Sequence, residues 1–207
     1  MELIRTLHQE LVAGRRVQVL AEHLAALIPP GARVLDVGCG DGVIDRLIAE
    51  HRPDVSIQGI DVLVRQDAQV SVTPFDGITI PYPDASFDAV MLVDVLHHTA
   101  DPLIMLGEAQ RVAGVILIKD HFRDGVLANA TLRFMDWVGN AHHGVVLPYN
   151  YWSISQWREA FAQQNMGVSE IKTSLRLYPR PASWMFERGL HFITRIERAQ
   201  TRGSIML

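Results

Sequence analysis

Three glycines at alternate positions, Gly38, Gly40 and Gly42, follow a carboxylate, Asp36, in the stretch VLDVGCGDG. Glycine permits backbone dihedral angles that other residues avoid, and it lets a ligand approach the main chain closely. A helix that begins after such a turn directs its first unpaired amides at the ligand. A carboxylate beside the turn favours a cationic ligand over a pyrophosphate, since like charges repel at short range.

The elements that must position this turn are a buried strand before it and a helix after it. Residues 34–37 form a short aliphatic run, and residues 43–50 carry apolar side chains at helical spacing. A dinucleotide fingerprint would place its third glycine at position 43, which is Val43. The pattern therefore favours S-adenosylmethionine, which carries an ammonium, a sulfonium and an adenosine, over a nicotinamide dinucleotide.

With these residues, the chain resembles the class I S-adenosylmethionine-dependent methyltransferases, whose first motif is similar to VLDVGCGDG. Two further stretches, IPYPDASFD before an apolar run and DVLHHTADP after it, resemble the small-molecule methyltransferases often called type 11. The resemblance implies an α/β fold: a Rossmann-like, doubly wound sheet, mostly parallel with an antiparallel last strand, and helices on both faces. We expect one methyltransferase domain over residues 1–207.

The resemblance also implies where S-adenosylmethionine binds and where its product, S-adenosylhomocysteine, is formed. Asp61 lies about 20 residues after the glycine turn, where a doubly wound nucleotide site places an acid for the ribose hydroxyls. Asp76 and the Gly77 amide are expected at the adenine, with a plain Asp-Gly turn as the alternative. Val93 is expected near the methionine end, with His98 facing the cleft. The expected cofactor residues are Asp36, Val37, Gly38, Cys39, Gly40, Asp61, Val62, Asp76, Gly77, Val93 and His98.

His121 is the candidate general base. It follows the apolar run at 114–118, so we expect it at the rim of the ligand crevice, with an unperturbed pKa of about 6.5. The alternative is a loop histidine that only bonds to the backbone. Lys119 or Asp120 could face inward in its place.

Residues 122–152 are rich in aromatic and polar side chains and predict a substrate lid inserted between a strand and a helix. The alternative is that Trp137 and Trp152 belong to the core and the rest is ordinary loop. Residues 1–28 predict a helical cover, which lies over either the ligand mouth or the sheet. The candidate substrate residues are Asp136, Asn140, His142, Tyr149, Tyr151 and Trp152.

Two histidine pairs, at 97–98 and at 142–143, raise the question of a metal site. Adjacent side chains are expected to point in different directions, and no cysteine or carboxylate-rich set accompanies the pairs at ligand spacing. We therefore expect no metal.

Other signals predict the remaining elements. Asp101 and Pro102 begin a helix, and Ser153 with Gln156 forms a capping box for another. Residues 62–72 are too short for the helix usual in relatives and predict a loop or a single turn. Residues 168–178 alternate like a strand. Residues 190–196 predict the last, antiparallel strand, with a helix over 182–199 as the alternative.

Composition limits the class of partner. The chain has 207 residues and a net charge of −4, which argues against a dedicated nucleic-acid binder. Its one cysteine, Cys39, allows no internal disulfide and fits a reducing cytoplasm. No signal peptide or membrane-spanning run is apparent, so a cytoplasmic location is expected.

These observations predict a methyltransferase that transfers a methyl group from S-adenosylmethionine to a small molecule. A hydroxyl oxygen is preferred to nitrogen or carbon as the acceptor. The main alternative is a module that binds S-adenosylmethionine without turnover. An NAD-dependent oxidoreductase is disfavoured by Asp36 and Val43.

Overall fold

The computed structural model describes the backbone of residues 14–140 and 148–198 and the side chains of 14–138 and 148–198. The elements in chain order are α1 (Gly14–Leu27), β1 (Arg33–Val37), α2 (Val43–His51), β2 (Ser56–Asp61), β3 (Val72–Pro74), β4 (Phe87–Val93), a 3₁₀ helix (Leu96–His98), α3 (Pro102–Val112), β5 (Ala113–His121), α4 (Ala128–Asn140), α5 (Ile154–Gln163), β6 (Met166–Lys172), α6 (Ser183–Phe186) and β7 (His191–Arg198). The helix predicted before Gly14 lies outside the described residues.

The strands form one seven-stranded sheet in the order β3-β2-β1-β4-β5-β7-β6. Strands β1 to β5 pair in parallel, and β7 runs antiparallel to both β5 and β6. The predicted Rossmann-like sheet with an antiparallel last strand is confirmed. Because β7 runs in the opposite direction, its first residue, His191, pairs with His121 at the carboxyl end of β5.

Helices cover both faces of the sheet. Leu35 points into a core shared with α3 and α5, whereas its neighbour Val34 points into a core shared with α1 and α2. This alternation follows from the two-residue period of a strand. Burying a large apolar side chain contributes about 1.5–3 kcal/mol, so the two cores hold the carboxyl ends of the strands in place.

The predicted helix starts are confirmed. Asp101 accepts a hydrogen bond from the Leu103 amide at 2.9 Å, with Pro102 in the first turn of α3. Ser153 and Gln156 form the capping box of α5. In that helix the Trp157 indole donates to the His121 carbonyl oxygen at 3.0 Å, which fixes the end of β5.

Two predictions near the C-terminus need correction. The strand expected over 168–178 ends at Lys172, because Leu175 and Leu177 leave the sheet and are buried in the core beside α1. Their alternation therefore reflects that core. The alternative helix over 182–199 is wrong, since only Ser183–Phe186 is helical and β7 follows.

The loop expected over 62–72 is confirmed up to residue 71: no helix joins β2 to β3, and Val72 already begins β3. Among the described residues, no helix is long and apolar enough to cross a membrane.

Candidate active site

The glycine turn joins the carboxyl end of β1 to α2. Gly38, Gly40 and Gly42 all have positive φ, at 74°, 62° and 70°, a region that side-chain-bearing residues rarely adopt. A Cβ at Gly38 would lie 2.6 Å from Val95 Cγ2, so Val95 packs directly beneath the turn. Among the described residues, a Cβ at Gly40 would meet only the Arg65 guanidinium, at 3.9 Å, so the middle of the turn is open to a ligand.

Asp61, at the end of β2, is tied to this turn. Its Oδ2 accepts a hydrogen bond from the Gly40 amide at 2.8 Å, and its Oδ1 accepts one from the Leu63 amide at 2.9 Å. Three apolar side chains follow it on the surface, Val62, Leu63 and Val64. A carboxylate beside exposed apolar side chains suits a ribose joined to an adenine ring.

Asp76 forms an exposed turn. Its Oδ1 accepts hydrogen bonds from the Thr79 and Ile78 amides at 2.7 and 2.8 Å. These backbone bonds, with that of Thr79 the larger effect, lower the pKa of Asp76. Gly77 follows with φ 79°. The carboxylate is therefore ionised and can accept a further hydrogen bond from a ligand amine.

Asp36 faces α2, where it meets Asp45. Both side chains are buried, and no described residue donates a hydrogen bond to Asp36 Oδ1 or to either carboxyl oxygen of Asp45. Burial, and then the neighbouring Asp45, raises the pKa of Asp36 well above its usual range. Burial raises the pKa of Asp45 to about 7. Two carboxyl groups with no other donor satisfy each other by sharing a proton.

Burial also raises the pKa of the Cys39 thiol. A thiol in this state is a poor nucleophile, so its place in the turn is structural.

A second group of polar side chains occupies the carboxyl ends of β4 and β5. We call Asp94, His97, Lys119, Asp120 and His121 the inner polar cluster. His97 Nδ1 lies 2.8 Å from Asp120 Oδ1, and the Lys119 ammonium bonds to Asp94. Lys119 has no exposed surface, and His97 and Asp120 are 3% and 1% exposed. Such buried charges persist only because they are paired.

His121 lies inside this cluster, 8% exposed, rather than at an open rim. Its Nδ1 is 3.2 Å from Asp120 Oδ1, and its Nε2 is 3.4 Å from the Lys119 ammonium. Burial, and then the Lys119 charge, lowers the pKa of His121 to about 4. Burial opposes ionisation of His97 as well, but the charge and hydrogen bond of Asp120, together with the charges of Asp94 and Asp136, outweigh it and raise the pKa of His97.

Arg16 of α1 also contacts the inner polar cluster, because its guanidinium forms an ion pair with Asp94. Asp94 itself has a positive φ of 57°. Although burial opposes ionisation, the charges of Lys119 and Arg16 hold the pKa of Asp94 well below its usual range. The helical cover is thereby joined to the end of β4.

The candidate lid residues divide into two groups. Asp136 and Tyr151 join the inner polar cluster: the Tyr151 hydroxyl donates to Asp136 Oδ2 at 3.0 Å, and its ring stacks on His97 with centroids 4.9 Å apart. Trp152 instead packs edge-on against Trp157, with ring centroids 4.9 Å apart. Tyr149 carries the Arg133 guanidinium over its ring at 4.1 Å.

Two other candidates lie outside what the structure describes. They are His142 and the side chain of Asn140.

A cavity of about 600 Å³ opens at the same edge of the sheet. One wall is His191, whose ring centroid lies 4.8 Å from that of His121. The lining includes Leu175, Arg180, Trp184, Glu187, Arg188 and His191. The residues that line this cavity follow β6 and belong to no motif, so the sequence did not predict them as a site. The sequence did predict the antiparallel last strand, which brings His191 to this edge of the sheet.

The residue matches and the fold agree with known proteins. A family model described as a methyltransferase domain matches residues 8–170, and the chain belongs to this family. The 27-O-demethylrifamycin SV methyltransferase of Amycolatopsis mediterranei is 34% identical over 108 residues, which are 45% of this chain and 39% of that protein. A ubiquinone biosynthesis O-methyltransferase of Hahella chejuensis is 32% identical over 99 residues, 41% of this chain and 40% of that protein. The chain thus spans about two fifths of the length of these curated relatives.

The solved structure of a SAM-dependent methyltransferase from Aquifex aeolicus superposes with a TM-score of 0.60 at 16% identity, covering 93% of each chain. This likeness supports the fold. Membership of the family implies S-adenosylmethionine as the cofactor. The open turn at Gly40, the carboxylate of Asp61 and the exposed apolar side chains after it fit that molecule.

Proposed function

We propose that this protein transfers a methyl group from S-adenosylmethionine to a hydroxyl oxygen of a small molecule. The observation that carries the proposal is the bond between Gly40 and Asp61, at 2.8 Å. This bond supports the proposal because Asp61, the acid proposed for the ribose hydroxyls, lies beside an open glycine turn at the carboxyl ends of neighbouring parallel strands. Ligands of open α/β sheets bind at this edge.

The proposal assigns each part of the cofactor to a group of residues. The glycine turn faces the methionine end, Asp61 and Val62 face the ribose, and Asp76 with Gly77 faces the adenine. The proposed contacts are Val37, Gly38, Cys39, Gly40, Asp61, Val62, Asp76, Gly77, Val93 and His98. The side chain of Asp36 was also expected at the cofactor, but it is buried against Asp45 and does not support that role. When bound, S-adenosylmethionine supplies an activated methyl group on a sulfonium with a neutral thioether as leaving group.

The chain's own contribution is then mainly to align the acceptor, since proximity and orientation carry most of the acceleration in such a transfer. His121 is the proposed base, taking the hydroxyl proton on a ring nitrogen. A base adds a smaller factor, about 10²–10⁴ in general. Both His121 ring nitrogens already lie near another group, Asp120 or Lys119, so we expect its rate acceleration to be at the lower end of that range.

Two observations support a small hydroxylated acceptor. The names of the relatives from Amycolatopsis mediterranei and Hahella chejuensis both specify methylation at oxygen. The cavity of about 600 Å³ beside His191 has the volume of a small-molecule site. Its wall offers an aromatic face from Trp184 and the charges of Arg180 and Arg188. With residues 122–152 as the proposed lid, the candidate substrate contacts are Asp136, Asn140, His142, Tyr149, Tyr151 and Trp152.

The test has two stages. In the first, calorimetric titration with S-adenosylmethionine, S-adenosylhomocysteine and NAD is expected to give micromolar binding of the first two and none of NAD. In the second, a panel of phenols, alcohols and matched amines is incubated with methyl-labelled cofactor. Label on the hydroxylated members supports the proposal, and label confined to amines overturns the acceptor. Binding of the cofactor without transfer to any member favours the binding module without turnover, and binding of NAD alone overturns the cofactor.

A further inference from the structure

His97 and His98 do not diverge as neighbours on a regular element would. Both residues lie in the 3₁₀ helix, and their ring centroids are 4.1 Å apart with 47° between the ring planes. Asp136, from α4, faces both of them. Its Oδ1 is 3.3 Å from His98 Nε2 and 4.0 Å from His97 Nε2. The expectation that adjacent histidine side chains point apart is wrong here.

We propose that His97, His98 and Asp136 bind one divalent transition-metal ion of the zinc type. Two imidazole nitrogens and one carboxylate oxygen are ligands that such ions accept, and three protein ligands leave a position open for a water or substrate oxygen. A tetrahedral ion with bonds of about 2.0–2.2 Å holds its ligands about 3.4 Å apart. The three ligand atoms already lie within 4.8 Å of one another, so small side-chain rotations complete the site.

Two of the three proposed ligands are held by hydrogen bonds of the kind that orient the ligands of a metal site. Histidine ligands usually donate their second ring N–H to a carboxylate, which fixes the ring and raises its basicity. Here His97 Nδ1 lies 2.8 Å from Asp120 Oδ1. The second oxygen of Asp136 accepts the Tyr151 hydroxyl at 3.0 Å. Asp120 of β5 therefore orients His97, and Tyr151 orients Asp136 of α4.

A second group of possible metal ligands is excluded by the positive charge of a neighbouring lysine. Asp94, His97, Asp120 and His121 also bring their ligand atoms within 4.8 Å of one another. However, the Lys119 ammonium bonds to Asp94 and lies 3.4 Å from His121 Nε2. A dication placed there would meet that ammonium at contact distance. In the set that contains Asp136, the side chain of His98 is 21% exposed, which gives an ion access from solvent.

The competing account of the same geometry is a protonated His97 held between Asp120 and Asp136 without any metal. The experiment separates the two. Protein dialysed against a chelator is titrated with Zn²⁺ by calorimetry and with Co²⁺ by visible absorption. We expect one equivalent of each ion and the d–d bands of a four- or five-coordinate Co²⁺ site. A wild-type protein that shows neither saturable 1:1 binding nor these bands overturns the proposal.

Variants locate the ion. Asp136→Asn and His98→Ala are expected to weaken Zn²⁺ binding by more than tenfold. Asp120→Asn, which replaces the carboxylate that His97 and His121 share, is expected to weaken it by about tenfold or more. His51→Ala, an exposed histidine on α2, is the matched control and should leave the affinity unchanged. Thermal unfolding of each chelator-treated variant checks that it is folded. Unchanged affinity in both Asp136→Asn and His98→Ala overturns the assignment, as does loss of binding in His121→Ala alone. The readout is metal binding, so the result stands apart from the acceptor proposed above.

Discussion

The amide of Gly40 donates to Asp61 Oδ2 across 2.8 Å, which joins the turn after β1 to the end of β2. The two strands are neighbours in the sheet, with Val37 paired to Ile60 immediately before these residues. The strand pairing therefore sets the distance between the turn and the carboxylate before any ligand arrives. A site assembled by sheet register loses little entropy when it binds.

Asp61→Ala is expected to weaken S-adenosylmethionine binding by about 10- to 100-fold, because charge-assisted hydrogen bonds to the ribose contribute about 1.5–3 kcal/mol. Calorimetric titration measures the change. Asp88→Ala is the control, since Asp88 is exposed and lies near the opposite, amino end of β4. Equal affinities for Asp61→Ala and the wild-type protein would remove the ribose assignment.

Gly38→Ala is expected to destabilise the fold by about 2–4 kcal/mol. Its φ of 74° costs a side-chain-bearing residue about 1–2 kcal/mol, and its Cβ would lie 2.6 Å from Val95 Cγ2. Denaturant unfolding measures the loss. Gly114→Ala is the matched control, because a Cβ there would have no atom of the described part of the chain within 4 Å.

The double variant Gly38→Ala/Val95→Ala tests the cause. It removes the clash but adds a cavity. If its loss equals the sum of the two single losses, the clash with Val95 is not the cause.

The parts of the site that could be predicted from the sequence are local ones. The glycine turn, Asp61 and the caps at Asp101 and Ser153 each depend on residues within a few positions or on a fixed strand-turn-helix unit. The contact of His97 with Asp136 and Tyr151 depends on α4 folding back over the 3₁₀ helix, and no periodicity encodes that contact. The pairing of Asp36 with Asp45 was missed although a helix was predicted there, because α2 had to be oriented on the sheet first.

Lys119→Met is expected to cost about 3 kcal/mol, because it breaks a buried pair and leaves Arg16 and the nearby His121 to face Asp94. Asp94→Asn should cost a similar amount, since it strands the fully buried Lys119 ammonium. Urea unfolding of both single variants and the double variant gives the coupling. We expect the double variant to be less destabilised than the sum by about 1 kcal/mol or more. Strict additivity would show that the two charges do not stabilise each other.

His121→Ala is expected to lower kcat by about 10²-fold, the smaller end of the range for a general base. Cofactor affinity should not change by more than about threefold, since no cofactor contact is assigned to this residue. Single-turnover methyl transfer and calorimetry on the same preparation separate the two effects. His121→Gln, which keeps a polar side chain in the buried site, controls for disruption of the cluster. An unchanged rate in both variants would remove His121 as the base.

The Asp36–Asp45 pair predicts how stability depends on pH. Burial raises the pKa of Asp45 to about 7, whereas an unfolded aspartate titrates near about 3.9. The native state therefore binds the proton that the unfolded state has released, and this contribution to stability falls as pH rises from about 4 to about 7.

Asp45→Asn cannot titrate, and its amide can donate to Asp36. The variant should gain stability relative to the wild-type protein by up to about 1.4 kcal/mol per pH unit over that interval. Denaturant unfolding at pH 5 and pH 7.5 measures the difference, and the double variant Asp36→Asn/Asp45→Asn should flatten the dependence further. A difference between variant and wild type that is the same at both pH values would mean that the two carboxyl groups do not hold a proton in the folded state.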